Sequence, residues 1–184
     1  MINALFEEYP EALYIDGEYY KISTDFRRWI ALNEAMLDKT LSEEEKGCIA
    51  MSLFKDEVPD DYNSAIISIA EFLQGNIIEN EYKSTNKKSR YVFSFTYDQD
   101  YIIGAFKECY GIDILNIPYM HWWHFNALLN SLNSSCELKQ RIMYRSIRLS
   151  DIIDKKERNR IRKIQRQIAI PAPELNDEEI ASVF

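Results

Sequence analysis

Apolar and polar positions alternate over a short N-terminal stretch and then recur at helical spacing along most of the chain. Residues 13–15 and 18–22 have the pattern of two short strands, and Asp16-Gly17 stands between them. An Asp-Gly pair favours the positive φ angles that a two-residue hairpin turn requires. The start of the chain is therefore predicted to form a small β-hairpin.

Three helices are predicted in the N-terminal half, each from an apolar period and a start or stop signal. In the first, the periodic positions are Phe26, Trp29, Ile30, Asn33 and Leu37. This first helix is predicted to run from an N-cap at Thr24 to about Asp38. The second begins at a capping box of Ser42 and Glu45 and runs to about Phe54, and the third begins at Pro59 and stops at Gly75.

The second half is predicted to be helical as well, after a polar loop at about residues 76–90. Residues 91–97 alternate aromatic with small or polar residues, which fits either a strand or an extended lead-in. Four helices are expected beyond it. The first runs from an Asp98 cap to Tyr110 with Gly111 as its stop, and the second from Pro118 to about Leu132. A short helix then begins at about Glu137, and the last runs from a Ser150 cap to about Gln167.

These elements predict a mainly α fold, a compact helical domain of about six to seven helices with a small N-terminal β-hairpin. The chain of 184 residues has only five glycines and five prolines, which favours long helices over a turn-rich β fold. The loop at 76–90 could separate two subdomains. Each half is small, so one domain over residues 1–184 is the preferred reading, with an acidic tail at 171–184.

Charge is distributed unevenly along a chain whose net charge is −8. Residues 1–82 carry 18 acidic and 6 basic side chains, whereas residues 139–166 carry 11 basic and 3 acidic ones. Such asymmetry indicates a nucleic-acid contact at the basic end or complementary packing between protein surfaces. The plain alternative is a solvated helix that faces its own acidic neighbours.

The basic helix at about residues 151–167 is the candidate interaction surface. Its apolar stripe is expected to consist of Ile152, Ile153, Ile161, Ile164 and Ile168, with cations turned outward. The cations proposed to form the surface are Arg158, Arg160, Arg162, Lys163 and Arg166. Nucleic acid is the less favoured partner, because the acidic chain as a whole repels phosphate at long range.

No catalytic or metal-binding constellation stands out. His121 and His124 have a spacing that suits one metal ion, but no Cys, Asp or Glu shares their helix. The two acidic residues of Asp98-Gln99-Asp100 stand at a predicted helix start, where helix capping and the helix dipole account for them without a metal ion. A phosphate loop and a nucleophile elbow are lacking, and the three cysteines are scattered. We therefore expect a protein without enzymatic activity, metal or cofactor, in a reducing compartment, with neither a membrane span nor a secretory signal.

Three stretches in the central part of the chain form an unusual motif: residues 95–102 (FTYDQDYI), 110–114 (YGIDI) and 121–129 (HWWHFNALL). They resemble the pattern of the phage Gp15 family, F-x-Y-D-x-D-Y-I, then Y-G-I-D-L, then H-W-W-K-F-x-A-L, and His124 stands where the family commonly has Lys. The opening at Thr24-Asp25-Phe26-Arg27 and the run Tyr144-Arg145-Ser146 also look like the family. The motif residues are Tyr97, Asp98, Asp100, Tyr101, Phe106, Tyr110, Gly111, Asp113, His121, Trp122, Trp123, Phe125 and Leu128.

This resemblance implies a tail assembly chaperone of long-tailed phages or prophages. Such a protein is expected to bind the tape measure protein and to recruit tail tube subunits in the host cytoplasm, and to be absent from the mature virion. The uneven charge distribution also suggests self-association, in which the acidic N-terminal region of one copy faces the basic helix of the next. The aromatic motif residues are expected to form core rather than binding surface.

Overall fold

Seven α-helices follow an N-terminal β-hairpin in the part of the chain that the structure describes, residues 6–74 and 92–171 of a computed structural model. The hairpin consists of β1 (Ala12–Ile15) and β2 (Glu18–Lys21). The helices are α1 (Phe26–Leu37), α2 (Glu43–Met51), α3 (Tyr62–Gln74), α4 (Gln99–Tyr110), α5 (Trp122–Asn130), α6 (Glu137–Ser146) and α7 (Lys155–Gln167), with a single 3-10 turn at Leu149–Asp151 before α7. The predicted mainly α class with a small hairpin is confirmed.

The hairpin closes through the turn that its sequence predicts. Strands β1 and β2 pair antiparallel, with Ala12 opposite Lys21 and Ile15 opposite Glu18. Both turn residues have positive φ angles, 51° at Asp16 and 98° at Gly17, as a type I′ turn requires. One face of β1 is buried against α3, so the hairpin covers one end of the helical core.

The starts of α1 and α5 are joined by backbone pairing, which corrects two predicted helix boundaries. The Trp122 amide donates to the Thr24 carbonyl at 2.8 Å, and the Phe26 amide donates to the Met120 carbonyl at 3.0 Å. Because the backbone is extended at both places, each helix begins further along the chain than predicted. The N-cap of α1 is therefore Asp25 instead of Thr24, and α5 begins at Trp122 rather than at Pro118.

Stacked aromatic rings at the meeting point of α1, α4 and α5 form the centre of the core. The rings of Phe26 and Phe125 lie 4.5 Å apart, and those of Phe106 and Phe125 lie 5.2 Å apart, each pair within 13° of parallel. All three side chains are buried. Burial of each ring contributes roughly 2–3 kcal/mol to stability, so the helices are held together by aromatic packing.

Other predicted boundaries have mixed outcomes. The capping box of Ser42 and Glu45 is present, although α2 ends at Met51 rather than near Phe54. The described part of the lead-in, residues 92–97, contains no strand. The N-cap of α7 is Asp154 instead of Ser150, because residues 149–151 form the 3-10 turn. The predicted loop at 76–90, the Gly75 stop and the acidic tail beyond Pro171 lie outside the described residues.

Candidate interaction surface

The two adjacent tryptophans of the motif cap the C-terminal end of α3. The Trp122 Nε1–H donates to the Leu73 carbonyl at 3.2 Å, and the Trp123 Nε1–H donates to the Phe72 carbonyl at 2.9 Å. Both carbonyls belong to the last turn of α3, where the helix itself supplies no donors. Both indoles are buried. The tryptophan pair therefore fixes α5 against α3 by packing and by hydrogen bonds together.

His121 is the N-cap of α5 rather than a residue within that helix. Its Nδ1 accepts the Trp123 amide at 3.0 Å, and its Nε2 lies 3.1 Å from the Pro10 carbonyl. The ring also stacks on Tyr9, with centroids 4.8 Å apart. Burial lowers the pKa of the His121 imidazole below its usual value. The imidazole is thus held neutral, and both nitrogens are engaged in fixing the start of α5.

The predicted histidine pair is not brought together with further metal ligands. His124 is exposed, whereas His121 is buried. Within residues 6–74 and 92–171, no group of three or more His, Cys, Asp or Glu side chains has a geometry that could hold a metal ion.

Asp98 forms a buried ion pair instead of the helix cap that its position predicts. Its carboxylate is fully buried and makes no capping bond to α4. It accepts two hydrogen bonds from the Arg145 guanidinium, at 2.7 and 2.9 Å, and a third from the Ser94 amide at 3.1 Å. A bidentate charged partner outcompetes capping because an unpaired buried carboxylate is very costly.

Arg145 also binds backbone on both sides of the ion pair. It donates to the Val92 carbonyl at 3.2 Å and to the Ile168 carbonyl at 2.6 Å. The side chain thereby connects the segment before α4, α6 and the segment that leaves α7. The sequence comparison singled out Tyr144-Arg145-Ser146 only as a likeness, and no local signal marks Arg145 as the partner of a residue 47 positions away.

The remaining motif residues have separate local roles. The Tyr110 hydroxyl donates to the Leu128 carbonyl at 2.7 Å, joining α4 to α5. Gly111 has a φ of 69° and ends α4 in the left-handed conformation, as predicted. Asp113 accepts the Asn116 side-chain amide at 2.9 Å, which lowers the pKa of its carboxyl group.

Three motif positions border α4 at the surface. The Arg141 guanidinium lies over the Tyr101 ring, 3.8 Å from its centroid, which is a cation–π contact. Asp100 is exposed in the first turn of α4, where its charge suits the helix dipole. Tyr97 is 56% exposed and lies beside Leu37, Phe93 and Pro171 at a shallow apolar groove.

Helix α7 is fixed to the rest of the domain along one side. Ile161 is buried, and the buried side chain of Gln165 donates to the carbonyls of Tyr144 and Ile147, each at 2.8 Å. These carbonyls stand at the C-terminal end of α6, which needs such donors. One side of α7 is therefore committed to α6, and its opposite side is presented to solvent.

The solvent side of α7 forms a cationic face with six basic side chains. These residues, named here the cationic face, are Lys155, Lys156, Arg160, Arg162, Lys163 and Arg166, and all six are exposed. Arg160 pairs with Glu157 at 3.0 Å, and Arg162 donates to the Asn159 side chain at 2.8 Å. In the described ranges, no ion pair involves the other four.

Two predicted members of the helix surface are placed differently. Arg158 does not point outward, because its guanidinium donates to the Ile152 carbonyl at 2.9 and 2.6 Å. It caps the turn before α7 and leaves the candidate surface. Ile153 was expected in the apolar stripe, but it is 95% exposed, since it precedes the helix. Lys155 and Lys156 were missed, although a helical projection of the sequence places them with Lys163.

None of the helices described by the structure is long and apolar enough to cross a membrane.

Comparison with known proteins gives one match, to a protein family. No curated protein and no solved structure matches the chain significantly. The family model described as "Bacteriophage Gp15 protein" matches residues 5–170, which include every element from β1 to α7. The chain belongs to the bacteriophage Gp15 protein family.

Proposed function

We propose that this phage protein is a non-enzymatic tail assembly chaperone that binds the tape measure protein and aids assembly of the tail tube. The observation that carries the proposal is the cationic face of α7, whose helix is fixed to α6 on its other side. A rigid helix with charges turned outward suits reversible contacts with a long helical partner, since exposed ion pairs are individually weak.

The core supports a scaffold role for the family motif. Trp122, Trp123 and Phe125 are buried, so these motif residues stabilise the fold and offer no contact surface. Side chains available to a partner include the cationic face and the exposed Tyr97 at the apolar groove.

Co-expression with the tape measure protein tests the proposal. Affinity purification of the tape measure protein is expected to recover a soluble complex with many copies of this chain. Lys156→Glu with Lys163→Glu should reduce recovery, because it reverses two charges of the cationic face. Lys107→Glu with Arg148→Glu is the matched control, since both side chains are exposed and neither belongs to the cationic face or to the acidic N-terminal region. A tape measure protein that precipitates whether or not the chain is present would contradict the chaperone role.

Self-association through complementary charge is part of the proposal. The acidic N-terminal region of one copy would contact the cationic face of the next. Sedimentation velocity at low salt should show oligomers that the reversal of Lys156 and Lys163 removes and that the control reversal leaves intact. Oligomers that persist through both reversals would place the contact elsewhere.

The cationic face also favours a second candidate, a phage protein that binds nucleic acid. Phosphate contacts make the logarithm of the binding constant fall with the logarithm of salt, with a slope of roughly −0.9 per contact on duplex DNA. A titration of DNA and RNA binding against salt therefore separates the two candidates. A steep slope that disappears when Lys156 and Lys163 are reversed would favour the nucleic-acid role.

A further inference from the structure

We propose that the acidic C-terminal segment, residues 172–184, docks on the cationic face of its own α7 and competes there with anionic partners. This inference rests on the surface used in the proposed function and adds its regulation. Its test needs no tape measure protein, so the two can fail separately.

The first argument is complementary charge. The segment contains Glu174, Asp177, Glu178 and Glu179 and no basic residue. Five residues of the cationic face take part in no ion pair within the described part of the chain: Lys155, Lys156, Arg162, Lys163 and Arg166. The face therefore has a cation for each of the four acidic side chains of the segment. Each exposed ion pair between the segment and the face would contribute only a few tenths of a kcal/mol, but several such pairs together favour contact.

The second argument is where the segment begins. Arg145 donates to the Ile168 carbonyl at 2.6 Å and so fixes the direction in which the chain leaves α7. Ile170 then lines a depression together with Arg162 and Arg166 of the cationic face. The last described residue, Pro171, follows directly. The acidic segment therefore starts beside the C-terminal end of the face that it is proposed to occupy.

The third argument is reach. Glu174 is the third residue after Pro171 and Glu179 is the eighth, so an extended chain carries them up to about 10 and about 27 Å from it. Helix α7 has 13 residues and is about 20 Å long. Every cation of the face is within range of at least one carboxylate.

Tethering favours this segment over an acidic region of another copy. Because the segment is covalently joined to α7, its effective concentration at the cationic face is roughly millimolar. Weak pairs therefore form within one molecule first. An anionic partner must displace the segment, so partners with few or poorly placed charges, including nucleic acid bound nonspecifically, are disfavoured.

The test compares two full-length variants that carry the same change in net charge. In the tail variant, Glu174→Gln, Asp177→Asn, Glu178→Gln and Glu179→Gln neutralise the segment. In the control variant, Asp100→Asn, Glu108→Gln, Glu137→Gln and Asp151→Asn neutralise four exposed residues that lie outside the acidic N-terminal region and outside α7. The probe is a fluorescein-labelled heparin oligosaccharide, and its Kd is measured at low and high salt.

The tail variant is expected to bind the probe roughly tenfold more tightly than the parent chain at about 50 mM salt. The difference should shrink to below about twofold at 0.5 M salt, because screening removes the competition. The control variant should gain about twofold or less from its net charge alone. Equal tightening in both variants would overturn the proposal.

Two further measurements identify the face and the molecule involved. Lys163→Gln with Arg166→Gln should abolish the difference between the parent chain and the tail variant, since these side chains hold the segment. The effect should also stay constant over a roughly fiftyfold range of protein concentration, as an intramolecular contact requires. A tail effect that grows with concentration, together with larger species in sedimentation, would overturn docking on the chain's own α7 in favour of docking on a second copy.

Discussion

The carboxylate of Asp98 and the guanidinium of Arg145 form a bidentate ion pair between two side chains that are both at least 93% buried. The pair joins the start of α4 to α6, and Arg145 further holds the chain on either side of it. A buried pair of this kind adds little stability over an apolar pair, but removal of one partner leaves the other charged and alone.

Removal of Arg145 should destabilise the domain strongly. Arg145→Met is expected to lower the free energy of unfolding by about 3–5 kcal/mol, because it leaves the Asp98 carboxylate buried without a cation. Urea denaturation followed by circular dichroism measures the loss. The double variant Asp98→Asn with Arg145→Met should recover part of it. A loss below about 1 kcal/mol in the single variant would contradict the assignment.

The tryptophan pair should stabilise the end of α3 through its indole N–H groups. Trp123→Phe removes the donor to the Phe72 carbonyl and should cost roughly 1–3 kcal/mol. Hydrogen exchange should accelerate in the last turn of α3 more than in α6. His124→Ala, an exposed change on the same helix, is the control and should stay within about 0.5 kcal/mol of the parent chain.

His121 should make the domain less stable in mild acid. The folded-state pKa of His121 is lowered by burial, so below the unfolded value of about 6.5 the unfolded chain binds the extra proton more readily. Its stabilising effect is complete above that pH and decreases as the pH falls toward the folded pKa. His121→Asn retains a capping oxygen without this titration, so urea midpoints between pH 8 and pH 5.5 should fall less than in the parent chain. An equal fall in both proteins would show that another group is responsible.

Two glycines of α4 should respond to alanine with opposite signs. Gly111 has a φ of 69°, a conformation that costs alanine about 1 kcal/mol, so Gly111→Ala should be destabilising. Gly104 lies within the helix, and a methyl group added there meets no atom within 4 Å apart from the neighbouring backbone of its own helix. Gly104→Ala should therefore stabilise the protein by roughly 0.5–1 kcal/mol through helix propensity. Thermal unfolding of both variants checks the pair, and a destabilised Gly104→Ala protein would contradict it.

The features that sequence alone determined are those whose partners lie within a few residues. The Asp16-Gly17 turn, the Ser42–Glu45 capping box and the Gly111 helix stop all depend on hydrogen bonds and φ preferences of neighbouring residues. For such short-range interactions, residue types at fixed offsets are enough to specify the geometry.

Only the tertiary structure decided the features that join distant segments. Asp98 has the position of a helix cap, yet its partner is Arg145, and Thr24 pairs with Trp122 instead of starting α1. These outcomes depend on which groups become buried together, since a buried charge or carbonyl must find a partner wherever one is available. The cationic face could be anticipated from the helical period. Which side of α7 packs on α6, and that Arg158 turns back to the Ile152 carbonyl, followed only from the structure.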